Sequence, residues 1–331
     1  MVSCVKAVFY YFCCSKFVNV SLKIPTILQQ LWQCVVHAFP KGMKTSWWLL
    51  KITIPVSFGV MLLDYFGVLA FIAQYTGFIF NWFGLPGVTA IILVTSIFAS
   101  VYAVVAILSV LHMPMREGII IATMCLISHN FIVETAVMKR TGSKAIRMIT
   151  VRLVASFVAA WLLNWLMPGL PSTGIDNLSI IHRQFSEMFS AWASSMASTT
   201  IKILILVNIL LIFQQIMEDF GWIIFLQRPL RPVMKLFGLP ESTTISWVVA
   251  NLIGLAYGSA IMIDQRDKNK MSAEDADLLN HHVAVSHSQL EDPLLFLALG
   301  YTIHWLIWPR IVIAIVFVWL RKAQMAFINK K

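Results

Sequence analysis

Long apolar runs, parted by short polar or basic interruptions, set the pattern of this chain. Residues 24–39 alternate apolar and polar positions at helical spacing and stop at Pro40. That run is too short to cross a bilayer and suits a helix lying on its surface. Lys41 and Lys44 precede Trp47-Trp48, an interface signature, and a first span is predicted over residues 47–69. A second apolar stretch, 71–83, leads into the turn Gly84-Leu85-Pro86-Gly87, and the next span is predicted over 88–111. Residues 117–134 hold only a short, strongly apolar arm before a polar cluster, which suits a re-entrant segment. Basic residues Lys139, Arg140, Lys144 and Arg147 lead into a span over 148–167. Residues 168–177, rich in Pro, Gly, Ser and Asp, read as a linker, and 182–198 as a second surface helix. In the second half, spans are predicted over 201–226 and 246–263. A last one runs from Pro293 to Leu320 and is interrupted at Pro309-Arg310.

The two halves repeat. Asp64-Tyr65-Phe66-Gly67 matches Glu218-Asp219-Phe220-Gly221, and Phe83-Gly84-Leu85-Pro86 matches Phe237-Gly238-Leu239-Pro240, each 154 positions apart. Tyr102 falls on Tyr257 with one residue added; His129 and Arg152 fall on His287 and Arg310, 158 apart. The loop at 71–87 carries no charge, whereas its counterpart holds Arg228, Arg231 and Lys235. The loop after His129 is strongly basic, while Glu291-Asp292 follow His287. Cationic loops stay cytoplasmic, so equivalent loops lie on opposite faces. The expected fold is an all-α polytopic membrane protein, an inverted repeat of two halves. Each half has about three transmembrane helices plus a re-entrant polar segment. Arg266, Lys268 and Lys270 are the misfit, because this scheme puts them outside. The expected division is an N-terminal extension with a surface helix (1–43), a first repeat (44–168), a linker and surface helix (169–198), a second repeat (199–325) and a basic tail (326–331).

Composition agrees with this reading. Hydrophobic residues make up 59% of 331 and charged residues 12%, with a mean hydropathy of +0.80, beyond what a water-soluble domain needs. The net charge of +10 sits mostly at the ends of apolar runs, which argues against nucleic-acid binding. Cys4, Cys13, Cys14, Cys34 and Cys125 lack zinc spacing and read as free thiols in a reducing compartment. The first twenty residues lack a clear cleavage site for a signal peptide.

The chemistry concentrates in residues 274–292, which hold five carboxylates and three histidines between apolar spans. A carboxylate at a lipid-facing helix centre costs about 2.5–3.5 kcal/mol, so this segment belongs in solvent or in a wet cavity. The matching arm that ends at Ser128-His129-Asn130 and Glu134 is apolar enough to enter the membrane, which favours the cavity. His287 and Glu291, like Asp277 and His281, are four apart and on a helix would share a face. Such pairs ligate divalent metals or hydrogen-bond a polar solute; His281, His287 and Glu291 form the candidate metal set. Asp64, Glu218 and Asp219 occupy equivalent depths and are candidates for ion coupling, or are simply span ends. Arg152 and Arg310 are expected to balance carboxylates or to approach headgroups, and His304 to be an interior histidine. No phosphate loop, zincin helix or nucleophile elbow is present, so neither an enzyme nor a cofactor is expected.

Several stretches resemble the nucleoside recognition, or Gate-domain, membrane proteins, among them the spore maturation protein A and B type. They are residues 51–57 (Lys-Ile-Thr-Ile-Pro-Val-Ser), Gly84-Leu85-Pro86-Gly87, Ser128-His129-Asn130 with Glu134, and Ser286-His287-Ser288-Gln289-Leu290-Glu291-Asp292. That domain recurs in concentrative nucleoside transporters and in the ferrous iron transporter B. The resemblance implies a multi-pass protein of the bacterial inner membrane, embedded in the lipid bilayer. It also implies handling of a small polar solute such as a nucleoside, with an oligomer or membrane partner protein. His129, Asn130, Glu134, His287, Ser288, Gln289, Glu291 and Asp292 would line its site. The alternatives are a divalent metal conduit using the same histidines and carboxylates, or a non-transporting scaffold in an envelope assembly.

Overall fold

The computed structural model describes residues 27–98, 100–111, 113–167 and 184–328. The stretch holding Cys4, Cys13 and Cys14, the linker at 168–177 and the last residues of the basic tail lie outside them. The described residues form fourteen α-helices, seven in each half. In the first half they are α1 (Ile27–Tyr65), α2 (Val68–Phe80), α3 (Thr89–Phe98), α4 (Val101–Leu111), α5 (Met115–Ser128), α6 (Phe131–Arg140) and α7 (Ala145–Leu166). Their counterparts are α8 (Phe185–Asp219), α9 (Trp222–Leu236), α10 (Thr244–Leu252), α11 (Leu255–Asp267), α12 (Ala273–Ser286), α13 (Glu291–Leu297) and α14 (Ile303–Ile328). α1, α7, α8 and α14 are each long and apolar enough to cross a membrane. The chain is an all-α polytopic membrane protein.

Two expected surface helices do not exist as separate elements. The run before Pro40 continues through Pro40 and Pro55 into the first span, making α1 one 39-residue helix. The stretch expected as a surface helix over 182–198 continues likewise into α8. The expected span over 201–226 stops at Asp219, because Gly221, like Gly67 after α1, takes a left-handed turn. α8 packs along α1, whose two prolines lie on its exposed side. Trp192 donates to Ser57 at 3.1 Å, Asn208 to Ser46 at 3.4 Å and Lys41 to Gln215 at 3.4 Å, so α1 and α8 run antiparallel. They are also repeat-mates. Two copies of one helix packed antiparallel are related by a two-fold axis perpendicular to both. For membrane-crossing helices that axis lies in the membrane plane, which is an inverted repeat.

The predicted spans over 88–111 and 246–263 are helical hairpins. Gly258 packs so tightly on Ala250 that a Cβ would lie 2.4 Å from the Ala250 Cβ, and Ser246 donates to Gln265 at 3.0 Å. These contacts fold α11 back on α10 around Gly254, whose φ of +126° suits glycine alone. In the first half, the Cys125 thiol reaches the Ile92 carbonyl and the Asn130 amide donates to the Ser96 carbonyl at 2.8 Å, so α3 runs parallel to α5. Tyr102, at the start of α4, donates to Glu291 beside the break where α5 ends, so α4 runs antiparallel to α5. Therefore α3 and α4 are antiparallel to each other.

The polar segments, expected to be re-entrant, take the opposite course. α5 starts beside the end of α7, where Arg116 donates to the Met167 carbonyl at 2.8 Å and to the Asn164 carbonyl at 3.0 Å. After a 42° bend, α6 ends at the loop that begins α7. The pair thus covers the full length of α7, about 33 Å, and is a broken span. In the second half α12 starts at the far end of α14, where Arg321 donates to Asp277 at 2.8 Å. α13 leads to the near end of α14. Among the described residues α1, α7, α8 and α14 can cross as single helices, and α5 with α6 makes a fifth crossing.

This arrangement also removes the charge misfit. Arg266 donates to the Thr141 carbonyl at 2.8 Å, which puts it on the same face as Lys139, Arg140, Lys144 and Arg147. Trp319 donates to the Leu236 carbonyl at 3.2 Å, bringing basic α9 to that face as well. The closeness of α10 and α11 is directly testable. Gly258→Ala should lower thermal stability in detergent by about 1–3 kcal/mol. Gly59→Ala, where a Cβ meets nothing within 4 Å, should leave the melting curve of the purified protein in place.

Candidate functional site

Both broken spans stop at the same place in their halves, and the two breaks meet. Asn130 and Ser288 turn the chain with φ of 50° and 49°, values that are uncommon outside glycine. A helix that ends inside a membrane leaves carbonyls without donors. His129 Nδ1 lies 3.1 Å from the Cys125 carbonyl and His287 Nδ1 lies 2.8 Å from the Val283 carbonyl. Arg152, one helix later, donates through Nε to the Ile127 carbonyl at 2.8 Å and through Nη2 to that of His129. Arg310 repeats this with the carbonyls of Val285, at 3.1 Å, and His287, at 2.6 Å. The hairpin tips close the other side: Ser288 N–H donates to Ala250 at 3.0 Å and Leu290 N–H to Asn251 at 3.3 Å. The arginines are fully buried stitches of the backbone and do not approach headgroups.

The side chains of the two breaks interleave. The His129 and His287 rings stand 5.2 Å apart, centre to centre. Glu134 sits between them, with Oε1 3.0 Å from His129 Nε2 and Oε2 3.2 Å from His287 Nε2. Arg152 Nη2 lies 2.8 Å from the same Oε2. Asp292, the repeat-mate of Glu134, brings Oδ2 to 3.7 Å from His129 Nε2. Glu291 turns aside and accepts from the Tyr102 hydroxyl at 3.0 Å. Carbonyl oxygens only accept, so each Nδ1 carries a proton and each Nε2 faces the centre. Three carboxylates, two guanidiniums and two imidazoles share this buried centre. His287 Nε2, Asp292 Oδ2, the Asn251 amide oxygen and both polar atoms of the Gln289 side chain are buried without an aligned hydrogen-bond partner.

Of the residues expected to line the site, His129, Glu134, His287 and Asp292 form this cluster. Asn130, Ser288 and Gln289 lie in its breaks, and Glu291 reaches its edge through Tyr102. His287 and Glu291 do not share a helical face, because the break falls between them. The expected metal set is not assembled. His281 lies six residues back along α12, about 9 Å, with Nδ1 2.7 Å from the Asp277 carbonyl. Asp277 itself accepts from Ser143, from Arg147 and from Arg321. Asp64, Glu218 and Asp219 lie at the far ends of α1 and α8, about 25 Å along each helix from its midpoint, and do not reach the centre. Asp219 accepts from Gln215 at 2.9 Å and from the Cys34 thiol at 3.2 Å. His304 is exposed and leans on Trp305. Tyr102 and Asn251 escaped the sequence reading; the Gly254 beside Asn251 was the available signal.

No family model matches the chain, and no solved structure does. It is similar to a protein of Bacillus subtilis (strain 168) described as uncharacterized membrane protein YvoD, 28% identical over 278 residues, or 83% of this chain and 88% of that one. This likeness supports a membrane protein.

Arg152→Met should cost about 3–5 kcal/mol, since Glu134 then keeps a buried charge without its guanidinium and two carbonyls lose their donor. Arg152→Lys should not restore stability, because a single ammonium cannot reproduce the fork. Chemical unfolding in detergent micelles measures both; a wild-type midpoint for either would refute the stitching role.

Proposed function

We propose that the chain is a permease for a small polar solute of the nucleoside class, acting in the cytoplasmic membrane of a bacterium with its basic face inward. The observation that carries this reading is the set of buried polar atoms without partners where the two breaks meet. Such groups are costly unless a ligand supplies hydrogen bonds. Gln289 offers an amide donor and acceptor, Asn251 an acceptor and Asp292 a carboxylate, the kinds of group that recognise hydroxyls and ring nitrogens. Inverted repeats with discontinuous helices at the midplane support transport over catalysis. The resemblance of the His-Asn and His-Ser breaks to nucleoside recognition proteins supports the solute class.

Uptake of labelled nucleosides by vesicles containing the purified chain tests this. Gln289→Ala and Asn251→Ala should each reduce uptake about tenfold, the worth of one lost hydrogen bond of about 1.4 kcal/mol. Uptake equal to wild type in both, with the proteins folded, would remove these residues from the path.

A further inference from the structure

We infer that the junction of the two breaks binds one divalent transition-metal ion, held by Nε2 of His129, Nε2 of His287 and the carboxylates of Asp292 and Glu134. The inference rests on the reading of this junction as the functional site and names a second ligand for it.

The donor atoms of His129, His287 and Asp292 all lie within 4.8 Å of one another and are buried. Imidazole and carboxylate ligands bind such ions at about 2.0–2.2 Å, so two ligands of one ion stand at most about 4.3 Å apart. A pair on opposite sides of the ion therefore contracts by about half an ångström, and a pair at a tetrahedral angle, about 3.4 Å apart when bound, by up to about 1.4 Å. Glu134 supplies a fourth ligand, because Arg152 engages its Oε2 and leaves Oε1 facing His129 Nε2.

Orientation is the second argument. Each imidazole is fixed by an Nδ1–H···O=C bond, to Cys125 or to Val283, the arrangement that aims Nε2 at a metal. Both Nε2 atoms then point at carboxylate oxygens 3.0 and 3.2 Å away, the groups that would share an ion with them. A divalent ion takes both imidazoles and the carboxylates as ligands at once. Two imidazoles with two carboxylates suit a borderline ion of the zinc, cobalt or manganese type over calcium or magnesium.

The test uses the tag-free, full-length chain in detergent, stripped with chelator and titrated with Co²⁺. Visible d–d absorption should saturate at one Co²⁺ per chain and be displaced by Zn²⁺. His287→Asn and Asp292→Asn should each weaken binding about tenfold or more. Cys125→Ser should leave the spectrum unchanged. If a site variant fails to fold, the wild-type titration still decides: failure to saturate at one ion overturns the inference. So does an unchanged affinity in folded His287→Asn. Nucleoside uptake in the same preparations separates the two readings. Uptake that continues with no ion bound removes the metal and keeps the permease. A one-ion site in a chain that moves no solute does the reverse.

Discussion

A carbonyl that loses its helical partner inside a membrane must find another donor within the protein, because lipid offers none. Most of the arrangement at the centre of this chain follows from that rule. Two helices stop in mid-membrane, and each exposes its last carbonyls there. Each is repaired by its own histidine and by an arginine 23 positions later, reaching across from the next span. The arginine brings a full charge to the interior, which in turn requires carboxylates. Glu134 and Asp292 stand in the first turns of α6 and α13, where helix N-termini favour negative charge. Broken helix, guanidinium and acid are therefore one device used twice.

The device fixes geometry as well as charge. The arginines hold the backbone of His129 and His287, and the Nδ1 contacts to Cys125 and Val283 hold their rings facing each other. The hairpins α3–α4 and α10–α11 enter from opposite faces, and their tips close the breaks through the Ser96 and Ala250 carbonyls. Four interruptions thus converge at one depth, each from a segment that does not cross the membrane as a single unbroken helix.

Much of this was legible in the sequence. The repeat, the meeting of His129 with His287 and the presence of Glu134 and Asp292 at the site follow from ordered matches and from the cost of carboxylates in lipid. The course of the chain was not legible. Some twenty apolar residues suit a straight span as well as two short helices folded together, and only Gly254 marks the fold-back. Conversely, the polar residues of α5–α6 suggested a segment that turns back, when neighbouring helices satisfy them along a full crossing. The Asp277 cluster was hidden for another reason. Its partners Ser143, Arg147 and Arg321 come from two distant helices and a loop, and no local spacing announces them.

The antiparallel packing of α1 on α8 has an evolutionary consequence. Repeat-mates that meet across a two-fold form an isologous contact, the same surface used on both partners, as in a homodimer. A half-length ancestor could therefore have assembled with itself, upside down, before the two copies were joined. In such a dimer any residue placed on one membrane face appears on the other. Fusion lifted that restriction: Asp277 gathers its cations on the basic face, while its counterpart Ile119 lies buried in apolar packing on the opposite one. Sidedness, which a symmetric pair of identical subunits cannot possess, became available to this chain by mutation of one copy alone.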